Sequence, residues 1–478
     1  MKMRKGGDPK GSPRSVVAEK GVYMMRSQTV LRMVMGLVVA MGGVWGSVAW
    51  GQVLQSGVRA EPPKTVIAVR AGRLFDSKTG NMLTNQVIIV NGDRITDVGP
   101  SAQIPTGATV IDLSNATVLP GLIDTHLHIM PRGNWSLPYK TLAGLKHAQD
   151  DLYSGFTTIV DMSARHTWAT IDIRNAINRG LTWGPRMQVA GPQINPRSRS
   201  MAPTPIEIDA RTFDEGEQDM GVNGPWAARA AVRKLKAYGA DWVKLYASED
   251  FEGDEYQHFK PNGKMVNSPS LTLEEIQAIV DEAHRRGMKV SCHTFGGESM
   301  TSCITAGVDK IEHGNEGTDA DVRMMAQKKI PITYTMENML NTGRQDLPRS
   351  GGQVSRLTLT RDMVKKTLAA GVSISFGSDM NNEHGKQQRA LVHYVKFGLT
   401  TAQALQAITI NAANALNYDW VNQVGSVEKG KFADIIAVSG NPLQDITEVE
   451  RVKFVMKGGE VVRNDLTASS PISQSIRP

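Results

Sequence analysis

Between residues 119 and 419 the chain alternates short apolar runs with amphipathic, capped segments, and it does so eight times. No other feature restricts the fold as tightly, because regular strand and helix alternation favours parallel strands joined by helical crossovers. The strand-like runs fall at 119–126, 157–162, 186–191, 242–247, 289–294, 309–314, 330–335 and 372–379. The helical segments between them have definite ends. Thr272-x-x-Glu275 is a capping box opening a helix over 273–286, and Gly287 closes it. A second helix is expected over 225–238, with Pro225 at its start and Gly239 at its stop. Eight such units predict an α/β protein, a (β/α)8 TIM barrel over 119–419, whose chemistry sits at the carboxyl ends of the strands.

The flanks have a different texture. Residues 64–119 read as short strands, and Asn91-Gly92 between two apolar runs is a strong hairpin signal. Residues 425–464 look alike, so segments 52–118 and 420–464 are expected to form one small β-sandwich domain from both chain ends, followed by a tail over 465–478.

The net charge of +7 suggests a nucleic-acid partner until it is located. Eight Lys/Arg against Asp8 and Glu19 fall within residues 1–51, a surplus of six that leaves the remainder at +1, so no nucleic-acid partner is expected. Arg26 and Arg32 precede an uncharged run, and Ser47, Ala49 and Gly51 follow it, as in a secretory signal peptide cut after Ala49 or Gly51. Export to the periplasm or medium is the expectation, with no membrane attachment after cleavage. The competing reading, an uncleaved anchor, is weakened by four glycines and by a core shorter than the ~20 residues a span prefers. Translation starting at Met24 or Met25 would leave residues 1–23 outside the protein. Cys292 and Cys303 are read as buried thiols.

The strand ends hold the chemistry. The run from Val118 to His128 ends in His126-Leu-His128, and strand alternation projects both histidines to one face, where they can share a metal ion. Lys244, His293, His313 and Asp379 lie at or near the ends of the fourth, fifth, sixth and eighth strands. Each has a plainer reading: a satisfied strand histidine, a turn-forming aspartate, a lysine paired with a barrel acid such as Glu312. Their coincidence on five of eight strands favours a site.

These residues resemble the amidohydrolase superfamily of metal-dependent hydrolases. The similarity runs through Pro-Gly-Leu-Ile-Asp-Thr-His-Leu-His, Val-Lys-Leu-Tyr, Cys-His-Thr, Ile-Glu-His-Gly, Gly-Ser-Asp and the closing Gly425–Asp434 segment. Gly184-Pro-Arg and His384-Gly385 narrow it to the imidazolonepropionase-like group that holds prolidase-type Xaa-Pro dipeptidases and carboxypeptidase-like amidases. The resemblance implies two divalent metal ions, most often zinc, joined by a carbon dioxide-derived carbamate on Lys244. His126, His128 and Asp379 would hold one ion, and His293 and His313 the other. It further implies a metal-bridging hydroxide as nucleophile, with Asp379 as proton shuttle. Tyr246, two residues beyond Lys244, is a candidate donor to the oxyanion or to a substrate carboxylate.

Specificity is expected in long loops over 192–222, with Arg197 and Arg199, and over 248–270, with His258; His384 and Tyr246 are further candidate substrate contacts. Three readings follow. The first is a binuclear zinc amidohydrolase acting on a dipeptide or N-acyl amino acid, a small-molecule partner, with a homo-oligomer compatible. The second is a mononuclear cyclic-amide hydrolase or deaminase of the same superfamily. The third is a non-catalytic binding scaffold.

Overall fold

The computed structural model describes residues 66–133, 135–163, 167–196, 220–248, 269–337, 356–418 and 420–466 of the 478-residue chain. The expected leader over 1–51 lies outside them, as does the tail from 467 onward.

The chain opens with β1 (Val66–Asp76), β2 (Asn81–Asn91), β3 (Arg94–Gly99) and β4 (Thr109–Pro120). The centre supplies β5 (Leu122–Leu127), β6 (Phe156–Asp161), β7 (Arg186–Val189), the short β8 (Asn195–Pro196) and β9 (Gly221–Val222), and β10 (Trp242–Tyr246). It continues with β11 (Lys289–Gly296), β12 (Lys310–Glu316), β13 (Ile332–Tyr334) and β14 (Ile374–Phe376). The far end returns β15 (Ile435–Val438), β16 (Phe454–Lys457) and β17 (Glu460–Asn464).

The first and last described strands pair into one continuous seven-stranded sheet, β17-β16-β15-β4-β1-β2-β3, where a β-sandwich was expected. Its continuity follows from β4, which runs parallel to β1 on one side and antiparallel to β15 on the other, with Leu119 opposite Ile436. The sheet has an apolar core of its own, including Leu74, Ile88, Val118, Ile435 and Phe454. The Asn91-Gly92 hairpin forms as expected, with Gly92 at φ 61° and Asn91 opposite Arg94.

Residues 119–126, read as one strand, are two. Leu119 and Pro120 stay in the seven-stranded sheet, and the chain passes into β5 through Gly121, where a Cβ would fall 2.0 Å from Thr157 Oγ1. Only glycine allows that approach.

The central strands form a three-stranded sheet, β5-β6-β7, and a five-stranded sheet, β10-β11-β12-β13-β14, all parallel. Every residue of β5 and β6 is buried, the pattern of parallel strands covered on both faces. The two sheets are tied at both margins. On one side Ile194 N donates to Lys244 O at 2.8 Å, and Tyr246 N to Ile194 O at 3.1 Å. On the other, Ser378 N and Asp379 N donate to His126 O, and His128 N to Met380 O at 2.9 Å. The capping box of Thr272 and Glu275 is present at the start of Leu273–Arg285, and Gly239 closes Pro225–Tyr238 at φ 90°.

One expectation is corrected. Cys292 on β11 and Cys303 on the helix Gly297–Ala306 are joined in a disulfide, their Cα atoms 6.5 Å apart, rather than standing as two thiols. The chain leaves β11 directly into that helix, so eleven residues return it to the strand's side. Among the described residues no helix is long and apolar enough to cross a membrane.

The chain ends are also linked by charge: Lys78 Nζ lies 2.7 Å from Glu428 Oε1, Lys431 Nζ lies 3.3 Å from Oε2, and Ser426 Oγ donates to Oε2 at 2.6 Å. Burial raises the Glu428 carboxyl, but these donors outweigh it and bring it down to about 2. A carboxyl so depressed adds stability that is complete above its ordinary value of 4.5 and disappears as pH falls toward 2. With Glu428 about a third exposed, solvent screening limits this to about 1 kcal/mol or less. Urea titration of Glu428→Gln is expected to show a small deficit at pH 7 that closes on acidification.

Candidate metal centre

The paired histidines at the end of β5, His126 within it and His128 just beyond, are almost wholly buried and turn the same nitrogen toward one carboxylate. His128 Nε2 lies 3.0 Å from Asp379 Oδ1, and His126 Nε2 lies 3.7 Å from the same atom. Behind them, His128 Nδ1 is 3.2 Å from Ser163 O, and His126 Nδ1 faces Glu312 Oε2 at 2.8 Å. His313 repeats the arrangement, with Nδ1 2.8 Å from Thr335 Oγ1. At His128 and His313 this engagement of Nδ1 fixes the ring and reserves Nε2 for a ligand in the centre. Ligand atoms of His126, His313 and Asp379 all lie within 4.8 Å of one another.

The parallel ladder explains how distant residues meet. Lys244 is in register with Ser291, and Ser291 with Lys310; one step along, Tyr246 pairs with His293, and His293 with Glu312. Strict alternation after Glu312 would send His313 to the opposite face. Instead His313 adopts φ 70°, the ladder shifts just beyond it, and the ring comes to 4.5 Å from His293 and 5.3 Å from His126. Asp379 is also left-handed, at φ 56°, and its N–H donates to His126 O at 2.7 Å. Conformations of this kind cost about 1–3 kcal/mol each and persist where the surroundings over-determine them.

Lys244 is fully buried, and its Nζ has no hydrogen-bond partner among the described residues. Glu312, the acid expected as its alternative partner, gives Oε1 to other groups: Lys310 Nζ lies 2.9 Å from it, and Ser291 Oγ donates to it at 2.5 Å. Burial pushes the Lys244 amine down to about 8, with Glu312 and Asp379 opposing and Lys310 adding to the shift. Burial likewise brings His126 to about 4. Burial would raise Asp379, but the hydrogen bond to His128 and the surrounding histidines hold its carboxyl well below the usual range. A neutral His126 beside an anionic Asp379 is the pair of protonation states a divalent ion requires. The nitrogen and oxygen donors fit zinc and its neighbours in softness.

Tyr246 stacks on His293 with ring centroids 4.2 Å apart, and the Lys244 Nζ is 5.6 Å from the tyrosine ring. Arg197, Arg199 and His258 lie outside the described residues. His384, expected among the substrate contacts, is corrected to a supporting role. Its Nδ1 lies 2.9 Å from Asp151 Oδ2 and its Nε2 3.3 Å from His128 O, and its ring is stacked on His147 at 4.4 Å. With both nitrogens engaged and the side chain 1% exposed, it is built into the wall behind His128. Sequence reasoning missed Lys310, Thr335 and Asp151; the one available signal was the two-residue spacing of Lys310 and Glu312 along a strand.

A profile of the Amidohydrolase family matches residues 117–462. The chain is 29% identical to a crystal structure of a Xaa-Pro dipeptidase with bound methionine in the active site, at a TM-score of 0.73, over 84% of this chain and 100% of that one. It is 25% identical over 443 residues to ochratoxinase of Aspergillus niger, covering 83% of this chain and 87% of the relative. It is 23% identical over 412 residues to adenine deaminase 2 of Rhizobium johnstonii, covering 85% of this chain and 58% of that protein.

Thr335→Val removes the partner that orients His313 while preserving shape. Chelator competition is expected to show metal affinity lowered roughly ten- to a hundredfold. Affinity equal to that of the unmodified protein would remove Thr335 from the metal-supporting shell.

Proposed function

Because the chain belongs to the amidohydrolase family, a metal-dependent family whose related members hydrolyse amide bonds, we propose that it is a binuclear zinc enzyme cleaving a dipeptide or N-acyl amino acid. The observation that supports this most is the fully buried Lys244 amine, with no hydrogen-bond partner among the described residues, 5.6 Å from the Tyr246 ring that stacks on His293. A plain ammonium would be repelled by divalent cations, whereas a carbamate on the same nitrogen would supply anionic oxygen ligands. His126, His128 and Asp379 would hold one ion, and His293 and His313 the other. Two margins joined by hydrogen bonds support completion of the parallel sheets into a (β/α)8 barrel, with these residues at its carboxyl end.

Metal ions at such a site lower the pKa of a bound water and polarise a scissile carbonyl. The protein's own part is proton handling and positioning. Asp379, anionic at neutral pH, accepts the proton of the attacking water and delivers it to the leaving amine. The Tyr246 hydroxyl donates to the developing oxyanion or to the substrate carboxylate. Similarity to the Xaa-Pro dipeptidase supports a dipeptide. The scaffold reading falls away, since the chain is a family hydrolase with its histidine set intact. The adenine deaminase relative supports a mononuclear cyclic-amide hydrolase or deaminase as the second reading, which does not require a modified lysine. Export remains part of the proposal, supported by the leader sequence and by a disulfide of the kind that persists in oxidising compartments.

Lys244→Ala is expected to lower bound metal from two ions per chain, as read by elemental analysis; retention of both would overturn the carbamate assignment. Asp379→Asn is expected to lower kcat by about 10²–10⁴. A panel of dipeptides and N-acyl amino acids, with the leaving residue varied through Pro, Phe, Leu and Arg, tests the substrate class. Turnover of a cyclic amide with none of that panel cleaved would favour the second reading.

A further inference from the structure

The chain beyond β7 brings two buried amides to the face that holds Lys244 and Tyr246, and the hydrolytic mechanism uses neither. Ile194 forms a parallel bridge with Leu245, and both side chains are wholly buried in the main apolar core. Strand alternation therefore turns Gln193 and Asn195 the other way, to the inner face. Asn195 falls on the level of Tyr246, whose partner in register is His293. Gln193 accepts a hydrogen bond from Ser163 Oγ, and the Ser163 carbonyl oxygen lies 3.2 Å from His128 Nδ1. An arc of polar groups thus runs from His128 through Ser163 and Gln193 to Asn195 and Tyr246.

Asn195 is 9% exposed. Its Nδ2 donates to Gln193 O at 3.4 Å, which sets the orientation of the amide, since the reverse would bring two carbonyl oxygens together. The atom left over is Oδ1, which is closed to bulk water and has no hydrogen-bond partner among the described residues. A buried acceptor in that state carries a cost that a donor arriving within the site removes.

We propose that Asn195 is a specificity-determining contact whose Oδ1 accepts from the free α-ammonium of a dipeptide, so that the site favours an unblocked amino terminus over an N-acyl amino acid of the same shape. This rests on the proposed amide hydrolysis with Tyr246 at the oxyanion, and narrows its two substrate classes to one. In a dipeptide the α-nitrogen and the scissile carbonyl oxygen belong to one residue, three bonds apart. Asn195 and Tyr246 match that pair, on neighbouring strands that parallel pairing sets about 4.8 Å apart. The scissile nitrogen is the atom that Asp379 protonates, and Asp379 lies at the other margin between the two parallel sheets, against β5. The α-nitrogen is therefore the donor on the Asn195 side. A hydrogen bond from a charged donor is the stronger kind, and an N-acyl substrate leaves Oδ1 unpaired in the complex.

The test uses the full chain loaded with zinc and the alanyl and propionyl derivatives of whichever leaving residue is cleaved best, two substrates that differ only in the α-amine. The ratio of their kcat/KM values is read, with zinc per chain by elemental analysis. The unmodified protein is expected to favour the alanyl substrate about tenfold or more. Asn195→Leu keeps the volume and removes the acceptor; the preference is expected to fall to about twofold or less, with propionyl turnover and zinc content undiminished. Asn195→Asp keeps an acceptor and is expected to keep the preference. A merely structural role would lower both substrates together and leave the ratio standing, which overturns the proposal. Loss of zinc in Asn195→Leu, or loss of the preference in Asn195→Asp, overturns it as well. If Asn195→Leu does not accumulate folded, as judged by circular dichroism, Asn195→Ala replaces it under the same expectation, and an unchanged ratio overturns the proposal. Turnover of neither derivative by the unmodified protein, with Pro, Phe, Leu and Arg each tried as leaving residue, would overturn the proposed function and this inference together. Turnover of both without preference for the alanyl substrate overturns this inference alone.

Discussion

The backbone carbonyl of His126 holds two distant parts of the chain together. It accepts from Ser378 N at 3.0 Å and from Asp379 N at 2.7 Å, joining the end of β5 to the segment after β14 across some 250 residues of sequence. Asp124 Oδ1 adds a second tie, accepting from Ser378 N at 3.1 Å and from His126 N at 3.0 Å. Both groups are buried, where exchange with water cannot relieve a lost hydrogen bond. The proximity of Asp379 to His126 and His128 is a product of this junction, and everything the site can do depends on it.

Around that junction the strand interior is arranged in levels. The lower level holds Lys244, Ser291 and Lys310; the next holds Tyr246, His293 and Glu312, with His313 turned in to join them. Parallel pairing makes such levels, because each strand advances in step with its neighbour. Charge is distributed so that acids face histidines or lysines within the same stack, and the low polarity of the surroundings makes each allocation exclusive.

Much of this was legible in the sequence wherever the signal is local. The strand positions, the Thr272–Glu275 capping box, the Gly239 stop and the Asn91-Gly92 hairpin depend on a few adjacent residues and were found where expected. The His126-x-His128 face follows from strand alternation alone. What escaped the sequence depends on register and on partners far along the chain. That Glu312 turns to Lys310, that His384 lies against Asp151, and that Cys292 meets Cys303 cannot be read from composition or period. The split at Gly121 was hidden for a similar reason: an apolar run looks continuous whichever sheet each half joins.

Among the described residues, the non-glycine positions with positive φ are Asn85, His313, Lys329 and Asp379, so half of them are in the metal centre. The fold tolerates unfavourable backbone where it needs particular side chains, which sets conservation of function against ease of folding. A lineage released from catalysis would gain by placing glycine at either position, since glycine adopts these angles without penalty. Drift in this architecture thus has a built-in direction: the inactive descendant can be the sturdier protein, and the working form persists only while selection on turnover continues.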